Sequence, residues 1–547
     1  MPGSSGNASL PSRPARVTPR PLSGLASLLD VKMTSPAERD PFTGPGDPAV
    51  VTGVTHDSRR VPPGDLYAAL PGTRQHGAGF CREAARAGAV AVLTDADGRD
   101  LATACGLPVF VVSDVRARLG EVAAWIYGRP SERLLLVGVT GTSGKTTTSY
   151  LLESGLRMSG HVTGLIGGIE TRVGPLTAPS ELTTPEATDL QALLAVMTEH
   201  RVTAAAMEVS SHALALGRVE GAAFDVAIFT NLSQDHLDFH ASLDDYFAAK
   251  AALFTPHYSG AGVVNIDDAR GRELAAWAQI PVTTFSAAGR QDADWRAVDV
   301  RCGADGSSFR VIGPGGIEAD ATIPLAGPFN VANALGAVVA LVEAGAGLQH
   351  AVAGVAACRG VPGRLERVDP GDGQDFTILV DYSHKPGAVE AVLRALRPVT
   401  EGKLTIVLGC GGDRDRAKRP LMGAAVASLA DVAILTSDNP RSEDPLAILM
   451  AMLEGAAAVR RRDRAHVIVE PDRGAAIGLA IGRAAKGDVV LIAGKGHERG
   501  QYTGTSVTPF DDREVAADVL ARRLAAVRAD GPPAAPPDAL TIDMGDL

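Results

Sequence analysis

The hydrophobic positions of this chain alternate between two rhythms. Short continuous apolar runs occur at Ala89 to Thr94, Pro108 to Val112, Leu134 to Val139, Thr203 to Val209 and Phe224 to Thr230. Between them lie longer stretches in which apolar residues recur every three or four positions. The first rhythm belongs to strands buried on both faces, the second to amphipathic helices. Helices are predicted from Lys145 to about Met158, and from Thr184 (N-cap, with Pro185 in the first turn) to near His200. A less periodic Gly-rich stretch starts at Cys302, and a further helix starts near Asn330. The alternation returns with strands at Phe376 to Val380, Leu404 to Leu408, Val432 to Thr436, His466 to Val469 and Val489 to Ile492, and a last helix from about Arg513 to Val527. This order predicts the α/β class, with mainly parallel sheets covered by helices.

Boundaries near Ser131 and Gly360 divide the core into domains 44–131, 132–360 and 361–530. Residues 1–43, rich in Ser, Pro, Gly and Arg, are read as a disordered tail with Arg13, Arg16 and Arg20 in solvent. Residues 531–547, with Pro532, Pro533, Pro536 and Pro537, are read as a second one.

Composition narrows the class. The 547 residues suit three to four domains of about 150 each. No apolar run approaches the ~18 residues of a membrane span. The five cysteines (Cys81, Cys105, Cys302, Cys358, Cys410) are scattered and odd in number, which argues for reduced thiols in a cytoplasmic protein. A net charge of -11 argues against a general nucleic-acid binder.

Candidate chemistry begins at Thr140-Gly141-Thr142-Ser143-Gly144-Lys145-Thr146-Thr147, between an apolar strand and a helix. Backbone N–H groups and a helix N-terminus converge there, an arrangement that suits the phosphates of ATP or GTP. Lys145 is placed to meet the outer phosphates and the Thr146 hydroxyl to ligate Mg2+. Val139 stands where the strict pattern has Gly. Glu208 closes one neighbouring apolar run, and Asp235-His236-Leu237-Asp238-Phe239-His240 follows the next. Groups beyond the carboxyl ends of neighbouring strands share one crevice, so Glu208 and His236 are candidates for the Mg2+ shell. A zinc pair formed by His236 and His240 on a helix is the rival reading. Lys250 falls on the helical stripe of Phe247 and Phe254, where a cation needs a partner or must snorkel to solvent.

Four C-terminal strands are each followed by a polar cluster: Asp381 to His384, Gly409 to Arg416, Ser437 to Arg441, and Gly494 to Glu498. Arg414 and Arg441 offer planar forks for a carboxylate or phosphate, and Asp438 and Glu498 suit ammonium groups. A ligand carrying both charges, such as an amino acid, fits this set.

The ordered motifs Thr-Gly-Thr-Ser-Gly-Lys-Thr, Glu-Val-Ser-Ser-His, Asn-Leu-Ser-Gln-Asp-His-Leu-Asp, Tyr-x-x-Ala-Lys, Gly-Pro-Phe-Asn-x-x-Asn and Asp-Asn-Pro-Arg resemble those of the Mur ligases of bacterial peptidoglycan synthesis, from about Thr52 to Val527. The resemblance implies three domains: an N-terminal UDP-sugar domain, a central P-loop ATPase and a C-terminal Rossmann-like domain that brings the amino acid. It implies ATP-driven amide formation through an acyl phosphate, adding meso-2,6-diaminopimelate to UDP-N-acetylmuramoyl-L-Ala-D-Glu in a cytoplasmic monomer. By the same resemblance, Gly141 to Thr147, Asn330, Arg364 and Asp381 contact ATP. Ser58, Thr183, Thr184, Ser210 and Arg218 contact the UDP-muramoyl peptide. Arg414, Asp438, Asn439, Pro440, Arg441, Gly494 and Glu498 contact diaminopimelate. Lys145, Glu208, His236 and Lys250 form the catalytic set, with Thr146, Glu208, His236 and a CO2-derived carbamate on Lys250 as Mg2+ ligands. Leu182 and Leu216 depart from residues that some relatives carry, Asn and Gln.

Overall fold

The computed structural model describes residues 10–34, 49–369 and 374–530, with side chains through residue 526. The chain forms two compact units, one made of residues 1–297, 311–319 and 332–357, the other of 298–310, 320–331 and 358–547. Besides a two-stranded sheet of Arg20–Pro21 and Val50–Val51, the first unit holds two larger ones. The N-terminal one is four parallel strands in the order Gly53–Thr55, Asp65–Ala68, Ala91–Thr94 and Val109–Val111. The larger one has at its centre the parallel strands Thr163–Ile166, Ala204–Glu208, Leu135–Thr140, Phe224–Phe229, Ser259–Asn265 and Val282–Ser286, in that spatial order. Their side chains are almost all buried, as the continuous apolar runs require. Register aligns their carboxyl ends: Glu208 lies opposite Val139, and Phe229 opposite Thr140. Three strand ends therefore stop level with one another.

The second unit carries a six-stranded sheet. Its parallel strands Thr377–Asp381, Val489–Ala493, Leu404–Leu408, Val432–Leu435 and His466–Val469 are neighbours in that order, with the short antiparallel strand Glu366–Arg367 at one edge. Asp381 and Leu408 both register with Ala493, and Leu408 with Leu435. The four polar clusters thus leave four adjacent strand ends on one rim.

Two expectations fail here. Residues 10–34 are not a disordered tail: Leu22–Leu29 is a helix whose Leu22, Leu25 and Leu29 are buried. Their spacing of three and four residues is a helical stripe that the surrounding Ser, Pro and Arg outweigh in composition. Arg13 is not in solvent either. Its Nη1 donates to both carboxylate oxygens of Asp65, at 2.8 and 2.7 Å, and its Nη2 to the Val54 carbonyl. The Arg20 guanidinium lies over the Trp125 ring. The other residues of the two proposed tails lie outside the described residues. The second failure is the helix start at Thr184. The helix runs Ala187–Glu199 with Glu186 at the N-cap, because the Thr184 hydroxyl is used elsewhere.

Candidate active site

The phosphate loop takes its shape from two glycines and from the neighbouring strand end. Gly141 (φ +145°) and Gly144 (φ +88°) turn the backbone from Thr140 into the helix Lys145–Met158. A Cβ at Gly144 would sit 2.3 Å from Asn333 Oδ1, so only glycine fits. Thr142 N–H donates to the Asn231 carbonyl (2.9 Å), Ser143 N–H to Asn231 Oδ1 (3.0 Å), and the Thr230 hydroxyl to the Ser143 carbonyl (2.7 Å). Val139 is a buried strand residue, so the departure from the strict pattern falls in the strand and leaves the turn intact.

Two lysines meet at this loop. Lys145 Nζ donates to the Gly141 and Thr142 carbonyls (2.9 and 3.0 Å). Lys250 Nζ donates to the same Gly141 oxygen (2.8 Å) and lies 4.5 Å from the centre of the Tyr246 ring. Lys250 is 1% exposed, on the helix Leu243–Ala251 between buried Phe247 and Phe254. It is a core lysine and not a snorkelling one.

Glu208, 2% exposed, accepts from the Thr146 hydroxyl (3.1 Å) and from Gly168 N–H (2.9 Å). A hydroxyl on the first helical turn and a carboxylate from the adjacent strand thus meet beside the phosphate loop. His236 pairs with Asp235 (3.1 Å) and sits edge-on to His212, with ring centres 4.7 Å apart. The helical zinc pair fails: residues 231–242 form no helix, and His236 has φ +52°, which breaks the i, i+4 geometry. His240 instead bonds the Ser211 hydroxyl (3.0 Å), and burial holds both His212 and His240 below the ordinary imidazole pKa. Among the described residues no group of three or more His, Cys, Asp or Glu forms a metal cage.

The residues expected at the UDP-muramoyl peptide gather beside Glu208. The Thr184 hydroxyl donates to the Glu208 carbonyl (2.9 Å) and accepts from Ser210 N–H (3.1 Å). Ser210 caps the short helix Ser211–Ala215 through Ala213 N–H. Arg218 pairs with Glu186 (2.9 Å) and donates to the Thr184 carbonyl (3.4 Å). Thr183 stands against Gly168 on the opposite wall. Ser58 is in the turn after Gly53–Thr55 on the N-terminal sheet, where His56 bonds the Thr188 hydroxyl of the helix Ala187–Glu199 (3.2 Å). Leu182, at one departure from the family pattern, is exposed.

In the second unit, Asp381, the Gly411 to Arg414 loop, Asp438 to Arg441, and Gly494 to Glu498 follow adjacent strand ends. Asp381 accepts from Leu365 N–H (2.8 Å) and Ser383 N–H (2.7 Å), fixing the segment that carries Arg364. The Arg364 guanidinium stacks over the Tyr382 ring, 4.3 Å from its centre. Asn330, nearly fully buried, donates to the Ala326 carbonyl (2.8 Å) at the start of the helix Pro328–Glu343. His384 and His497 flank Tyr382, and burial pushes both imidazoles down to about 4, so both are neutral at pH 7. Arg441 and Arg414 close around Gly411: a Cβ there would lie 2.9 Å from the Arg441 guanidinium and 3.7 Å from Arg414 Cγ. Arg441 is itself anchored, donating from its side chain to the Gly412 carbonyl (2.7 Å) and from its N–H to the Tyr502 carbonyl (2.9 Å). Asn439 donates to Glu498 (2.9 Å). Gly494 N–H donates to the Asp381 carbonyl (3.1 Å), and Gly412 N–H to the Asn439 carbonyl (2.9 Å), tying the clusters together. Sequence reasoning assigned nothing to two residues of these clusters, Tyr382 under Arg364 and Lys495 beside Asp438 and Asn439. Both stand inside motifs that were singled out, but nothing local marks an aromatic platform or a buried cation.

Three family models match the chain in order: the Mur ligase family catalytic domain over residues 50–127, the Mur ligase middle domain over 139–341, and the Mur ligase glutamate ligase domain over 363–496. The chain belongs to the Mur ligase family. Similar curated relatives include the UDP-N-acetylmuramoyl-L-alanyl-D-glutamate–2,6-diaminopimelate ligases of Streptomyces coelicolor (59% identical, 93% of this chain and 98% of the relative) and Corynebacterium glutamicum (47%, 91% and 97%). A solved structure of a ligase of that name aligns with TM-score 0.64 and 32% identity over 90% of this chain and 99% of its own. The MurF of Acinetobacter baumannii (TM-score 0.61, 20% identity, 93% of this chain and 99% of its own) shares the fold. The three-domain α/β architecture read from the sequence is the one these matches show.

Proposed function

We propose that this chain is an ATP-dependent amide ligase that joins meso-2,6-diaminopimelate to UDP-N-acetylmuramoyl-L-alanyl-D-glutamate in peptidoglycan precursor synthesis. The observation that carries the reading is the rim of the second unit, where the Arg414 and Arg441 forks and the Asp438 and Glu498 carboxylates share one strand-end crevice. That set matches a ligand with a carboxylate and an ammonium beyond its reacting end. The names of relatives 59–60% identical over nearly the whole chain support the same substrates.

In this reading the phosphate loop, Lys145, Asn330, Arg364 and Asp381 bind ATP, and the D-glutamyl γ-carboxylate attacks the γ-phosphorus. ADP leaves, and an acyl phosphate remains. The amine of diaminopimelate attacks its carbonyl carbon, and phosphate departs from the tetrahedral adduct. Positioning and charge neutralisation dominate such phosphoryl transfers. Thr184, Ser210 and Arg218, with Thr183 and Ser58, orient the UDP-muramoyl peptide. The oxygen donors Thr146 and Glu208 fit Mg2+, which when bound neutralises the polyphosphate.

By the same resemblance, a second Mg2+ would be held by His236 and Lys250, the lysine only after conversion to its carbamate. As an ammonium it shares the Gly141 oxygen with Lys145, so two cations crowd one acceptor; as the CO2 carbamate it becomes an oxygen ligand and the repulsion turns into attraction. A cytoplasmic monomer is part of the same proposal. The test is ADP release measured with each co-substrate omitted in turn, together with the product mass. Release that needs both the UDP-dipeptide and diaminopimelate, with a product heavier by diaminopimelate less water, supports the reading; ADP release indifferent to diaminopimelate overturns it.

A further inference from the structure

Lys495 is a fully buried cation that no step above uses. It follows the strand Val489–Ala493, and its side chain is 0% exposed. Nζ donates to Asn439 Oδ1 at 2.8 Å and lies 3.5 Å from both Asp438 Oδ1 and Glu498 Oε2. Its partners Asp438 and Asn439 arrive from a strand two places away in the sheet, Val432–Leu435, so the lysine bridges the end of the intervening strand Leu404–Leu408.

The bonding pattern leaves the Asn439 amide one orientation. Its oxygen receives Lys495 Nζ and Tyr502 N–H (3.1 Å), and both are donors only. The amide nitrogen must therefore face outward, and it donates to Glu498 Oε2 at 2.9 Å. That oxygen is then engaged twice, by Asn439 and by Lys495. Glu498 Oε1 makes no hydrogen bond among the described residues, while the side chain keeps a third of its surface exposed. Charge follows the same logic. Asp438 and Glu498 carry two negative charges and Lys495 one positive, so the cluster presents a net single negative charge to its surroundings. Without the lysine, both carboxylates would lose the cation that lies 3.5 Å from each.

We propose that Lys495 is a positioning residue for amino-acid recognition: it holds Asn439 and Glu498 in one arrangement and leaves a single carboxylate charge, at Glu498 Oε1, for the ammonium on the non-reacting end of the amino acid. The proposal rests on the ligase reading above. It assigns recognition of the distal carboxylate and the distal ammonium to different groups, Arg414 with Arg441 for the first and the Lys495-ordered Glu498 for the second.

The experiment compares meso-diaminopimelate with 2-aminopimelate, which keeps the distal carboxylate and lacks the distal amine. In the wild type the ratio of kcat/KM for the two substrates is expected to be about 30-fold or more in favour of diaminopimelate. In Lys495→Met this ratio falls below about 3-fold, while KM for ATP and for the UDP-dipeptide stays within about twofold of wild type. Lys495→Gln gives the same ratio should the methionine variant fail to fold, since its smaller amide disturbs the core less. A discrimination ratio retained within twofold in the folded variants overturns the positioning role, as does an equal rise in all three KM values, which marks a merely structural lysine. A wild type that turns over neither amino acid overturns the ligase reading instead, so the two failures are distinct.

Discussion

Two buried lysines, one in each unit, make opposite use of the same side chain. Lys495 sits among Asp438, Asn439 and Glu498, where its charge is matched. Lys250 puts its ammonium on a backbone oxygen that Lys145 also occupies, under an aromatic ring. A buried cation with carboxylates around it organises a site, because desolvation is offset by attraction and the geometry is fixed. In the proposed function the Lys250 amine reacts with CO2, which replaces its positive charge by a negative one. In these proposals the first lysine orders a recognition site, and the second becomes a metal ligand.

The sharpest way to break this contrast is Lys250→Ala. Turnover is expected to fall about 10²–10³-fold, the scale of losing one preorganised electrostatic contact in a transition state. Added short carboxylic acids should restore part of the rate. Activity unchanged in a steady-state ADP assay would reject the ligand role.

A matched cation gives the reverse outcome. Arg473 and Asp512 are both fully buried and bidentate, at 2.7 and 2.7 Å, and Arg473 also reaches the Ala493 carbonyl at the rim. Arg473→Met strands the Asp512 charge and should cost about 3–5 kcal/mol in denaturant unfolding. Turnover per folded molecule below saturation should drop far less than in Lys250→Ala.

Arg441→Met is next. It removes the planar fork and should raise KM for diaminopimelate about 10–100-fold while leaving KM for ATP alone. Parallel rises in both would place Arg441 in the fold and not in the pocket.

The smallest effect concerns Arg13 and Asp65. Burial pushes the Asp65 carboxyl up to about 6, although Arg13 pulls the other way. A raised carboxylate pKa means that the folded state holds the proton more tightly, so Asp65 weakens stability as pH rises from its unfolded value through 6. Arg13 matters only when Asp65 is ionised. Arg13→Ala should therefore lower the melting temperature more at pH 8 than at pH 5, and a pH-independent shift would contradict the pairing.

The part of the fold legible in the sequence was local. The helix Lys145–Met158 starts at the expected residue, because strand, Gly loop and helix are contiguous. The strand ends at Asp381, Leu408, Leu435 and Ala493 lie within one residue of expectation. The hairpin strands Glu170–Val173 and Leu176–Pro179 were missed, since their alternating, half-exposed pattern has no apolar run. The helix Leu22–Leu29 was hidden by its flanks. Thr184 illustrates a different failure: a good capping residue is diverted when a buried carbonyl and N–H of a neighbouring loop claim its hydroxyl first. Gly141 and Asn439, hydrogen-bond partners of Lys250 and Lys495, lie more than 50 residues away in sequence, so no spacing rule reveals them.

The central claim is the choice of amino acid, and a substrate panel under saturating ATP and UDP-dipeptide tests it most directly. The expected kcat/KM for meso-diaminopimelate exceeds that for L-lysine by about 10³-fold or more, because lysine leaves the Arg441 and Arg414 forks without their carboxylate. Equal efficiency with L-lysine would contradict it.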